Sequence, residues 1–328
     1  MKFGVHLPGT SPVSRVRWDG PMTARAIADV SKKADALGFD LVAAPDHIVL
    51  PEAIRHFVGP KWYDGIATLS YIAGMTKRVR LLTSITVLPW RSPFTIAKAV
   101  ATLDVLSGGR MIFGVGVGHL KAEFEALGVP YSARGPRFEE AVGLIRRLWT
   151  EEAVTHHGRF YHCDEMVLDP KPVQQPVPMW VGGNTRREAI WGFTIAEGWL
   201  PFAVPARTLR EQTEHARKIG GGSNANGKSF DLVTAIRQIH LGDEPIQQPS
   251  AEDIDQRARE GQSEYYRRIA ARNLDSSTLR TVEEVVGEID KVKSVGATGC
   301  MVNFRCREPQ EFLEGMDWFA EKVMPRYG

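Results

Sequence analysis

Apolar residues along this chain fall in short runs that alternate with stretches of helical period. Phe3 to Leu7 reads as a strand, and Ala26, Ile27, Val30, Ala34 and Leu37 then recur at helical spacing until Gly38 caps the helix. The pattern repeats. Strands are expected at Leu41–Ala44, Val79–Ser84, Met111–Val115, Pro178–Val181, Gly198–Leu200, Leu232–Leu241 and Gly299–Phe304. Between them lie helical stripes at Tyr63–Met75, Ile96–Leu106, Phe138–Trp149 with Pro136 near its first turn, and Val282–Val292 behind a Thr281-x-x-Glu284 capping box. A closing helix opens at Pro309 and carries Phe312, Met316, Phe319 and Val323. Eight strands alternating with helices predict a single α/β domain over residues 1–328, a parallel (β/α)8 TIM barrel. A doubly wound open sheet is the alternative, and the even pattern to the C-terminus disfavours it.

Two segments break the rhythm. Ile48 to Trp62 is long for a βα connection, and Asp243 to Thr278 is polar, charged and partly helical. In this architecture such insertions build or cover the mouth at the C-terminal ends of the strands, so residues 243–278 are expected to form a lid.

Composition narrows the chemistry. Among 328 residues, 41 Lys and Arg stand against 39 Asp and Glu, a net charge of +2 without a basic run, which gives no electrostatic footprint for nucleic acid. No stretch has the roughly 20 consecutive apolar residues of a membrane helix. The 3 cysteines, Cys163, Cys300 and Cys306, are too few for a disulfide framework or a Cys-rich zinc site and are expected to be buried. Met1 to His6 runs straight into a strand without a signal-peptide apolar core, so the cytoplasm is the expected compartment.

Catalytic groups in a TIM barrel sit at the strand C-termini. That rule selects His6, Asp46 and His47, Thr83 to Thr86, Gly116 to His119, and Gly182 to Thr185. Gly182-Gly183-Asn184-Thr185 precedes a helix whose N-terminal N–H groups suit a phosphate, with Arg186 and Arg187 adjacent. Thr185-x-x-Glu188 is equally a capping box that satisfies those donors unaided. Gly114-x-Gly116-x-Gly118 lacks the βαβ context of a dinucleotide fingerprint, and the expectation is that it lets a flat ligand approach a strand end. His6 is expected to close the bottom of a pocket. No His-x-His pair marks a metal, and His156-His157 reads as a polar turn. Trp18, Trp62, Trp90 and Trp199 fall in or near expected loops, where aromatics serve flat ligands or subunit contacts.

Four stretches together resemble the luciferase-like monooxygenase superfamily, and within it the deazaflavin-dependent oxidoreductases: Leu37–Asp40 leading to Pro45-Asp46-His47, Arg80–Pro93, Ala97–Gly118, and Pro178–Asn184 followed by Glu197-Gly198-Trp199. The resemblance implies coenzyme F420, or alternatively FMN, at the barrel mouth. It implies ring contacts from Asp46, His47, Thr83, Ser84, Ile85, Gly116 and Gly118, a cis peptide at Ser84–Ile85, and phosphate contacts from Gly182, Gly183, Asn184 and Thr185. His47 and His119 are the implied proton-transfer residues. FMN-dependent luciferases often carry an arginine where this chain has Val117, and sugar-phosphate dehydrogenases of the deazaflavin group carry a glutamate where it has His119. The first departure favours the deazaflavin; the second argues against a sugar-phosphate substrate. A small-molecule substrate, a separate cofactor reductase and a homodimer complete the expectation.

Overall fold

A computed structural model describes residues 1–7, 23–52, 62–202, 204–220, 230–242, 278–306 and 308–328. Trp18 and nearly all of the expected lid lie outside these residues, as does most of the Ile48–Trp62 loop.

The strands close into a barrel. β1 (Lys2–His6), β2 (Leu41–Ala44) and β3 (Arg80–Thr83) pair in parallel. β5 (Met111–Gly116), β8 (Met179–Gly182), β9 (Gly198–Leu200), β10 (Asp231–Ala235) and β11 (Gly299–Val302) complete the circuit back to β1. The β3–β5 pairing seals the ring and excludes the open sheet. The seventh barrel strand is shorter than the apolar run predicts: β10 stops at Ala235, and Ile239 makes only isolated bridges to Leu279 and Phe304.

The third barrel strand is interrupted. β3 pairs with β5 at Leu82 and Ile112, and its continuation β4 (Thr86–Val87) resumes at Thr86 and Val115, four steps along one strand against three along the other. Such a one-residue bulge reverses which side chains face the lumen. The peptide between Ser84 and Ile85, inside the bulge, is cis.

Helices sheath the barrel because their apolar stripes match its outer face. α1 (Ala24–Leu37) starts where the Thr23 hydroxyl accepts the Ala26 N–H at 3.2 Å and ends at Gly38, φ 82°. α2 (Gly65–Ala73), α3 (Pro93–Ser107), α4 (Lys121–Ala126) and α5 (Arg134–Thr150) follow. After α5 comes a small antiparallel hairpin, β6 (Val154–His157) and β7 (His162–Met166), so His156 and His157 are strand residues rather than a turn. α6 (Arg186–Ile195), α7 (Ala206–Ile219), α8 (Val282–Ser294), whose Thr281–Glu284 capping box forms, and α9 (Pro309–Lys322) complete the described sheath.

Two cores result. One lies between strands and helices; the other fills the lumen with Leu41, Ala43, Leu82, Ile112, Trp180, Val233 and Met301, topped by Ile85 and Phe202. Beneath the strands, the Arg146 guanidinium donates to both oxygens of Glu197 at 2.9 and 2.8 Å, and Glu197 also accepts the Met179 N–H. These bonds anchor the end opposite the mouth. The three cysteines are buried and unpaired. No helix among the described residues is long and apolar enough to cross a membrane.

Candidate active site at the barrel mouth

The bulge sets the floor of the mouth. Ile85 turns into the lumen and fills space beside two glycines. A Cβ on Gly116 would stand 2.0 Å from Ile85 Cδ1, and one on Gly182 would stand 2.4 Å from Ile85 Cγ2. These glycines therefore admit the isoleucine, and the expected approach of a flat ligand to their backbone would run through Ile85. Gly118 makes room for Val87 and Phe124 in the same way. Thr83 is buried and spends its hydroxyl on the Gly114 carbonyl at 2.8 Å.

A polar rim stands around this floor. His6, at the end of β1, lies 3.0 Å from the Ser84 hydroxyl through Nε2, bonds Asn303 and meets the Phe202 ring edge-on at 6.4 Å. Loss of hydration pushes its pKa down to about 4, with Asn303 opposing. At neutral pH it is an uncharged group facing the lumen.

Asp46 and His47 diverge although they are neighbours. The Asp46 carboxylate is buried and gripped by Arg91, whose Nε donates at 3.1 Å and whose Nη2 closes a second contact, while the Val87 N–H adds a third at 3.3 Å. Burial raises its pKa, opposed by the charge and hydrogen bonds of Arg91. This arrangement locks the end of β2 to the segment after the bulge. His47 instead enters an aromatic and acidic nest. Its ring stands edge-on to Trp62 at 4.4 Å and perpendicular to His119 at 6.0 Å. Its Nδ1 lies 2.8 Å from Glu123 Oε2.

Glu123 went unseen in the sequence. It sits in the polar run Lys121-Ala122-Glu123 on α4, yet its side chain is fully buried, and its other oxygen accepts the N–H groups of Ile48 and Val49 at 2.7 and 3.3 Å. A buried Phe124 beside it is the only local hint that this run is not a solvated face. His119 is buried beside His47. Burial first, then the neighbouring His47, pushes its pKa down to about 3, so it is neutral across the physiological range.

The turn after β8 is knitted into the protein. Trp199 Nε1 donates to the Gly183 carbonyl at 2.9 Å. The Asn184 amide exchanges two bonds with the Phe202 backbone, at 2.8 and 2.9 Å, and Gln212 caps the Asn184 carbonyl. Glu188 takes the Thr185 N–H at 2.7 Å, closing the capping box. Trp199 is thus a fully buried residue of the strand expected at Gly198–Leu200, spent on the turn rather than offered to a flat ligand. Trp90 packs against Phe124 at 5.0 Å, beneath the His47 nest.

Strand ends from all round a closed parallel barrel thus converge on one apolar floor with neutral polar edges. Residues 1–286 match the family model described as luciferase-like monooxygenase. The chain belongs to that family. It is 36% identical over 223 residues to an F420-dependent glucose-6-phosphate dehydrogenase of Intrasporangium calvum, covering 66% of this chain and 65% of the relative. It is 30% identical over 183 residues to an uncharacterised protein of Mycobacterium tuberculosis, covering 52% of this chain and 63% of that one. The chain spans about two thirds of the length of these relatives. Among solved structures, the monooxygenase RslO1 from Streptomyces bottropensis superposes with a TM-score of 0.75 over the full length of both chains at 24% identity. An F420-dependent secondary alcohol dehydrogenase, solved with an F420–acetone adduct, superposes with a TM-score of 0.74 over 98% of each chain at 18% identity. The structural neighbours share its barrel.

Proposed function

We propose that the chain transfers hydride between coenzyme F420 and a small organic substrate at the barrel mouth. The observation that carries this reading is the lumen-facing floor of Ile85 and Phe202, ringed by His6, Ser84 and Asn303. An apolar bed edged by uncharged donors and acceptors fits a flat, neutral heterocycle. The relatedness to F420-dependent dehydrogenases and the valine at position 117 favour the deazaflavin over FMN.

When bound, the coenzyme would supply the hydride chemistry; the protein supplies orientation, dryness and a proton path. Ile85 would back the ring, and Ser84 and His6 would meet its polar edge. His47 would hold or release the proton at the substrate, aided by its place between Trp62 and Glu123. His119, kept neutral, would complete the wall beside His47. The Gly182–Thr185 turn is the candidate for the phosphorylated end of the coenzyme. Its capping box already uses Glu188, so phosphate there would have to work with the remaining first-turn donors and the exposed Arg186 side chain.

Fluorescence-quenching titration with F420 and FMN tests this reading. Binding of the deazaflavin, and His47→Ala lowering hydride-transfer turnover by about 100-fold or more, is the expected result. Binding of FMN alone, with oxygen consumed when it is reduced, would establish the second reading that the family description favours: a two-component monooxygenase fed by a separate reductase.

A further inference from the structure

We propose that Glu123 is a positioning residue that fixes His47 as the Nδ1–H tautomer and presents Nε2 as the lone-pair nitrogen for proton transfer. The inference deepens the proposed function and rests on it for its catalytic consequence. Glu123 and His47 are 76 positions apart, on α4 and after β2, and meet at 2.8 Å with the glutamate fully buried. A carboxylate oxygen accepts and does not donate, so the imidazole nitrogen facing it must carry the hydrogen. The second oxygen is occupied as well. It takes the N–H groups of Ile48 and Val49, so the carboxylate cannot rotate away without leaving two backbone donors unpaired. One side chain thereby orients the imidazole, selects its tautomer and pins the first residues of the loop beyond it. Trp62 and His119 fix the remaining faces of the ring.

Glu123→Gln inverts the arrangement at nearly constant shape. The amide oxygen keeps the Ile48 and Val49 N–H groups, and the amide nitrogen then faces Nδ1 as a donor. The imidazole must move its hydrogen to Nε2, which blocks the nitrogen meant to receive a proton; the wrong tautomer disables a histidine base even when geometry is kept. The decisive measurement is the ¹⁵N spectrum of the imidazole, assigned with His47→Gln, in the full-length protein at neutral pH without coenzyme. Expected are a protonated Nδ1 and a bare Nε2 in the wild type, exchanged in Glu123→Gln. With F420 and substrate, kcat should fall about 100-fold or more while KM stays within about threefold. A wild-type ring protonated at Nε2 or at both nitrogens, an unchanged tautomer in Glu123→Gln, or a KM effect with kcat intact would overturn the proposal. If Glu123→Gln does not fold, the wild-type spectrum alone decides. Failure of the coenzyme to bind would remove the proposed function and leave the tautomer result standing.

Discussion

Ile85 occupies the volume that a side chain on Gly182 would need, 2.4 Å from the position of its Cβ. The two residues are on the third and fifth barrel strands, and Gly116 shares the same isoleucine. Gly182→Ala must displace Ile85 and should cost about 1–3 kcal/mol of stability in urea unfolding. Ile85→Ala should relieve the clash, so the double variant should be more stable than the two single effects sum to, by more than about 0.5 kcal/mol. Strict additivity would mean that the glycine serves something other than the bulge.

Arg91 neutralises a carboxylate that has almost no other access to water. Arg91→Ala strands Asp46 and should destabilise the protein by about 3–5 kcal/mol at neutral pH, read from the urea midpoint. The deficit should shrink as the pH falls, because the orphaned carboxyl, already raised by burial, takes up a proton before its unfolded counterpart. A deficit independent of pH would place the loss in packing instead.

His6 and His119 are both held neutral, with pKa values pushed down to about 4 and about 3. Below about pH 6.5 the unfolded chain binds protons that the folded chain refuses. Each histidine should therefore remove up to about 1.4 kcal/mol of stability per pH unit as the pH falls from 6.5 towards those values, and neither should contribute above it. His119→Gln should make this slope shallower between pH 6.5 and 4, measured by urea unfolding at a series of pH values. An unaltered slope would show that His119 is not buried as a neutral ring.

Trp199→Phe keeps an aromatic ring at this buried position, leaves a small cavity and deletes the donor to the Gly183 carbonyl. The loss should be about 1–2 kcal/mol in stability. If the Gly182–Thr185 turn holds the coenzyme's phosphate, the variant should also weaken coenzyme binding measured by fluorescence quenching. Unchanged affinity would detach that turn from the coenzyme.

The alternation of strand and helix was legible because each element carries its own period, and the strand-end rule brought His6, Asp46, His47, Ser84 and His119 to the correct end of the barrel. What the pattern concealed are meetings between distant residues. Nothing local to Asp46 announces Arg91, and nothing in a charged helical run announces that Glu123 is buried against His47. The glycines at 116 and 182 were visible, but what fills the space beside them depends on a bulge in a strand far along the chain. The short strand Gly198–Leu200 was legible, but nothing in three residues announces that the Trp199 indole reaches the Gly183 carbonyl.

The extra residue in the third strand also sets a rule for altering this mouth. Ser84 and Ile85 are successive, yet one reaches His6 and the other joins the lumen floor. Removing one residue between Thr83 and Thr86 would restore plain alternation, keep Thr86 and Val87 in register with Val115 and Gly116, and leave one side chain where two successive ones now reach the mouth. Altering this mouth therefore means keeping the length of this segment and, at position 85, a side chain that fits beside Gly116 and Gly182.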